Sequence, residues 1–118
     1  MSQPAVSIHP YFKVHPGQHD AARALLPQFV AATTPEPKCR SYDFTVNGDM
    51  VFCREAYADA EGVLAHLENV GVLLGEMLKL SDLARLEIHG PAAELEKLKG
   101  PLAEFKPTWF AFACGVVR

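Results

Sequence analysis

The stretch RSYDFTVNGDMVFCREAY, from Arg40 to Tyr57, decides the fold. Tyr42, Phe44 and Val46 alternate with Ser41, Asp43 and Thr45; Asn47-Gly48 is a short-turn signal, and Met50 to Tyr57 runs back. That pattern reads as a β-hairpin. Successive side chains in a strand point to opposite faces, so the parity is the same whether the turn takes two residues or four. Arg40, Tyr42, Phe44 and Val46 share a face with Val51, Cys53, Glu55 and Tyr57. Ser41, Asp43, Thr45, Phe52 and Arg54 take the other. The first face is the more apolar and is expected to meet helices.

Helical patterns flank the hairpin. Upstream, Ala22, Leu25, Leu26, Phe29 and Val30 recur at helical spacing between Gln18 and about Ala32, until Thr34-Pro35-Glu36-Pro37 stops them. Pro27 is expected to kink this helix. Before it, Val6 to Val14 alternates as a strand, interrupted by Pro10, which cannot donate to a ladder. Downstream, Asp59 is the expected N-cap of one continuous helix whose stripe is Val63, Leu67, Val70, Leu74 and Met77. Leu83 to His89 reads as a fourth strand, Ala92 to Leu98 as a short helix, and Thr108 to Val117 as a last strand, apolar on both faces.

The order β-α-β-β-α-β defines an α+β, ferredoxin-like fold with an antiparallel sheet in the order 4-1-3-2, plus a C-terminal helix and strand. We read residues 1–118 as one domain, with a core over about 5–90 and an extension over 91–118. Helices cover one face of such a sheet. The bare face and the greasy last strand call for a second copy of the chain, so a homodimer is expected.

Composition narrows the function. Eleven Lys+Arg against fourteen Asp+Glu give a net charge of −3, with no basic block to bind nucleic acid. Cys39, Cys53 and Cys114 form no metal-binding spacing and read as free thiols of a cytoplasmic protein. The start, MSQPAVSIHP, has neither the basic region nor the apolar run of a signal peptide. Trp109 to Val117 is too short to span a membrane.

Glu55-Ala56-Tyr57-Ala58-Asp59 followed by Val63-Leu64-Ala65-His66-Leu67 resembles the signature of the antibiotic-biosynthesis monooxygenase superfamily. The run from Ala31 to Tyr42 is similar to that family's approach to its second strand, with Lys38 where a glycine is usual, and Pro16-Gly17 also fits. The resemblance implies a dimeric α+β barrel. Its characterised members oxidise phenols or quinols with O2 and no metal or flavin, or degrade haem. The positions that serve haem degradation correspond here to Pro10, His66 and Glu76, which do not match, so no cofactor and no metal is expected.

Four residues are candidates for a site. His66 falls at the edge of the second helix's apolar stripe, where an imidazole could take a phenolic proton; its bland role is a helix-edge hydrogen bond. Glu55, on the drier face, is a candidate base alongside it, unless it is locked to Arg40, which faces it directly in the two-residue-turn register. Tyr42 and Tyr57 share that face and could donate an O–H to a ligand, or simply pack. His9, His15 and His19 do not form a defensible metal site, His89 reads as solvated and Trp109 as a packing anchor. The expected activity is cofactor-independent oxygenation of a small phenol or quinol. The alternative is a non-catalytic barrel that binds a small apolar metabolite or serves a structural role. A pocket above ~300 Å³ beside a Glu55 free of Arg40 favours an enzyme or binder.

Overall fold

The computed structural model describes residues 3–118. Strand β1, Val6–Val14, leads into helix α1, His19–Thr33, and the hairpin follows as β2, Cys39–Asn47, and β3, Met50–Tyr57. Helices α2, Ala60–Asn69, and α3, Gly71–Leu80, precede β4, Ser81–Gly90. Helix α4, Ala92–Lys99, a 3-10 turn at Ala103–Phe105 and β5, Thr108–Ala111, complete the chain. The sheet order is β2-β3-β1-β4-β5. Its first four strands are antiparallel, and β5 adds in parallel to the edge of β4. This is the expected ferredoxin-like α+β core with its sheet extended by the C-terminal strand. No helix among the described residues is long and apolar enough to cross a membrane.

Side-chain alternation places the inner face as expected. Val6, Ile8, Phe12 and Val14 of β1 are buried, as are Val51, Cys53, Glu55 and Tyr57 of β3. Pro10 interrupts the pairing: β1 and β3 pair at Ile8–Glu55 and again at Tyr11–Phe52, with no pair at His9 or Pro10 between. Against β4 the register slips between Tyr11 and Phe12. A proline removes one ladder donor, and the sheet absorbs the loss with a local irregularity.

Two expectations need correction. The helix after Asp59 is broken at Val70, whose φ of −102° and ψ of 11° leave the helical region. Asn69 and Gly71 flank the break, both weak helix formers, and Asn69 spends its side chain on tertiary hydrogen bonds instead. The stripe survives the break, since Val63, Val70 and Met77 are all buried. The last strand is shorter than expected and ends at Ala111, paired with Gly90. Beyond Gly90 comes Pro91, which has no N–H, so β5 runs out of partner after the bond from the Phe112 N–H to the Gly90 oxygen (2.8 Å).

The core falls into two clusters. One gathers Val6, Ile8, Tyr57, Val63, Ile88, Leu95 and Leu98 under α2 and α4. The other gathers Phe12, Val14, Leu25, Phe29, Val51 and Met77 under α1 and α3. Gly90 matters to the first cluster. A Cβ there would lie 3.2 Å from both Cα and Cγ2 of Val6. Backbone cannot yield as a side-chain tip can, so Gly90→Ala is expected to destabilise the fold by about 1–3 kcal/mol, read as a lowered urea midpoint with unchanged slope.

Candidate functional site

The hairpin turn determines what Glu55 faces. Asn47 pairs with Met50, leaving Gly48 and Asp49 as the loop, and Gly48 adopts the left-handed φ of 58° that glycine tolerates. Tyr42 therefore lies opposite Glu55, and Arg40 falls in a bulge between Cys39 and Ser41. The expected Arg40–Glu55 opposition is not formed, because the turn closes one residue later than the Asn47-Gly48 signal suggests. Arg40 is exposed and donates to the Gln3 carbonyl at 3.4 Å.

Glu55 is thus a carboxyl on the inner face, 6% exposed, in a cross-strand row between Tyr42 and Ile8. Its Oε1 accepts a hydrogen bond from the Tyr57 hydroxyl at 2.6 Å, and His66 Nε2 lies 3.6 Å from the same oxygen. Burial raises the Glu55 carboxyl above its ordinary pKa, outweighing the opposing pull of His66 and of the Tyr57 hydrogen bond. Burial also raises the Tyr42, Tyr57 and Cys53 side chains, so each stays protonated and able to donate.

His66 is delivered by α2, whose start is tied down twice. The Gly62 N–H donates to Asp59 Oδ1 at 2.8 Å, the expected cap, and the Ala60 N–H donates to Glu94 Oε1 at 2.9 Å. The imidazole is more deeply placed than the stripe suggested, 2% exposed, with ring centroids 5.1 Å from Tyr42 and 5.2 Å from Tyr57. Its Nδ1 lies 2.9 Å from Glu36 Oε2. Asn69 Nδ2 donates to that oxygen at 2.7 Å and to the Ala32 carbonyl at 2.8 Å. Glu36 Oε2 accepts from Asn69 and stands as an acceptor to the ring, which places Nδ1–H toward Glu36 and Nε2 toward Glu55.

All four candidates therefore meet in one place. Glu36 joins them and was missed: Pro35-Glu36-Pro37 reads as a helix stop. The available signal was His66 and Asn69, three residues apart on one helix face, both needing a partner.

The group sits at the polar end of an apolar slot between the two core clusters, walled by Leu67, Leu74 and Leu78 of the helices and Leu83, Leu86 and Ile88 of β4. The cavity holds about 70 Å³, so the ~300 Å³ expected of an enzyme's or binder's pocket is not met, although Glu55 is free of Arg40; a ring-sized ligand has to part the leucines. Elsewhere, His15 makes a surface pair with Asp82 at 3.0 Å, and His9 stands beside His89 on the outer face. No cluster of three or more His, Cys, Asp or Glu among the described residues could hold a metal ion.

A family model described as antibiotic biosynthesis monooxygenase matches residues 5–73. Among solved structures, MupZ from Pseudomonas fluorescens is 39% identical with a TM-score of 0.91, over 97% of this chain and 94% of that one. Rv0793 from Mycobacterium tuberculosis is 24% identical with a TM-score of 0.66, over 74% of this chain and 94% of that one. PA3566 from Pseudomonas aeruginosa is 20% identical with a TM-score of 0.62, over 75% and 91%. The last two share the fold. A search of curated proteins finds no match.

Proposed function

The chain belongs to the antibiotic biosynthesis monooxygenase family, and on that premise we propose that it is a cytoplasmic, homodimeric, cofactor-independent oxygenase of a small phenol or quinol. The observation that carries this is a buried acid–base couple, Glu55 and His66, with no Lys or Arg paired to it among the described residues, at the polar end of an apolar slot. His66 Nε2 takes the phenolic proton, and the Nδ1–H bond to Glu36 steadies the imidazolium that forms. The electron-rich ring carbon, which bears a hydrogen, gives its electrons to O2, a C–O bond forms, and the peroxide takes a proton from Glu55. The resulting hydroperoxide loses water to leave a carbonyl. Tyr42 donates a hydrogen bond to a substrate oxygen, while Tyr57 orients Glu55 for proton transfer. The apolar walls keep the phenolate reactive.

Oxygen uptake on a panel of hydroquinones and anthrones tests this. His66→Ala is expected to lose about 10²–10⁴-fold of the wild-type rate. Uptake by the wild type no faster than the uncatalysed reaction across the panel would sink oxygenation.

One observation favours a second activity at the same site. A carboxyl that burial pushes toward its protonated form stands 3.6 Å from a base, and such a pair needs no oxidant to act. A non-oxidative proton transfer on an apolar substrate, with Glu55 protonating one atom and His66 deprotonating another, uses both. Turnover that persists under argon distinguishes it.

The homodimer rests on the outer sheet face. Tyr11, Phe52, His9, His89 and Phe110 form a continuous aromatic stripe there, with successive ring centroids 4.7, 6.0, 5.0 and 4.5 Å apart. Phe110 is 41% exposed and Val116 78%. A second copy covers the stripe, with an interface above ~1,000 Å².

A further inference from the structure

We propose that Glu36, His66 and Glu55 form a proton relay that joins the slot to a separate depression on the protein surface. This rests on the acid–base role given above to Glu55 and His66. The depression is walled by Thr33, Glu36, Cys39, Arg40 and Tyr42. Tyr42 also lines the slot, so its ring is the partition between the two spaces.

Away from Glu55, Tyr42, Cys53 and His66 the slot is walled by hydrocarbon, which carries no protons. The way through His66 is short. Nε2 is 3.6 Å from Glu55 Oε1, a gap that a small swing of the carboxyl closes, and Nδ1 is 2.9 Å from Glu36 Oε2. The His66 side chain is 3% exposed and that of Glu36 11%, so the chain of groups runs from sealed to wet. Asn69 aims Glu36 by holding Oε2 at 2.7 Å and anchoring itself on Ala32, which makes it a positioning residue.

Outward, a proton from Glu55 bonds to Nε2 as the Nδ1–H bond breaks and its proton passes to Glu36, which releases it to water in the depression. Inward, the same bonds form and break in reverse and reload Glu55. Nothing is oxidised or reduced. Separating the proton port from the substrate slot lets the slot stay dry while Glu55 is recharged.

The test uses the full chain labelled with ¹⁵N-histidine and measures exchange of the His66 ring N–H with water by NMR. Glu36→Gln keeps a hydrogen-bond acceptor and the side chain's size but cannot carry a proton. It is expected to slow the exchange about tenfold or more. Glu36→Ala opens a hole facing the depression, and added formate is expected to restore its exchange where chloride at equal ionic strength does not. A purely structural Glu36 would show no such rescue. Exchange unchanged in Glu36→Gln, or Glu36→Ala indifferent to formate, overturns the relay. Turnover of Glu55→Gln reports separately on the acid–base role: if that variant is fully active, the acid–base role fails whatever the exchange data say.

Discussion

Glu55→Gln is expected to lower turnover by about 10²–10⁴-fold while making the protein more stable at neutral pH. The two effects have one cause. Glutamine keeps an oxygen to accept the Tyr57 hydrogen bond, now 2.6 Å long, and it fills the same space. It cannot give or take a proton. The native carboxyl is raised by burial above its ordinary value of 4.5, so between that value and the raised one the native state binds more protons than the unfolded state. Stability contributed by Glu55 is therefore complete below about 4.5 and is lost as pH rises through the folded value. Each pKa unit of the elevation is worth about 1.4 kcal/mol. Urea midpoints of wild type and variant should agree near pH ~4 and diverge, in favour of the variant, as the pH rises. A variant that instead falls further below wild type as the pH rises would show that Glu55 holds the core together as an ion rather than standing in it as a costly acid.

Phe52→Asp is expected to convert a dimer into a monomer at micromolar concentration. Phe52 lies in the middle of the outer stripe, between Tyr11 and His9. Burying one such ring fully is worth roughly 1.5–3 kcal/mol, and a two-fold interface counts it twice. A carboxylate placed there must be desolvated without a partner, which adds to the loss. The variant's own fold should be spared, since the outer face contributes to neither core cluster. Removing everything after Pro107 takes Trp109 and Phe110 with it, and either aggregation or a much weaker dimer should follow. Sedimentation of the wild type as a well-behaved monomer at micromolar concentration would refute the assembly outright.

Much of this molecule is legible in short windows of sequence. The alternation in Val6–Val14 and Arg40–Tyr57 put Glu55, Tyr42 and Tyr57 on the helix-facing side of the sheet, where they lie. The cap at Asp59 was equally plain, because a side-chain oxygen reaching a backbone N–H three residues on is a local event. The breaks in these rules came wherever a distant partner had a say. A one-residue shift of the turn moved Arg40 away from Glu55, and both registers satisfy the same parity. The length of β5 was decided by where β4 ends, at Gly90-Pro91, and not by its own greasy residues. Glu36 met His66 across 30 positions of sequence because α1 delivers its final loop against α2. Side-chain direction is set by backbone sterics over two to four residues and can be read directly. Which carboxylate stands beside which imidazole depends on how whole elements pack, and only the tertiary structure of this chain decided that.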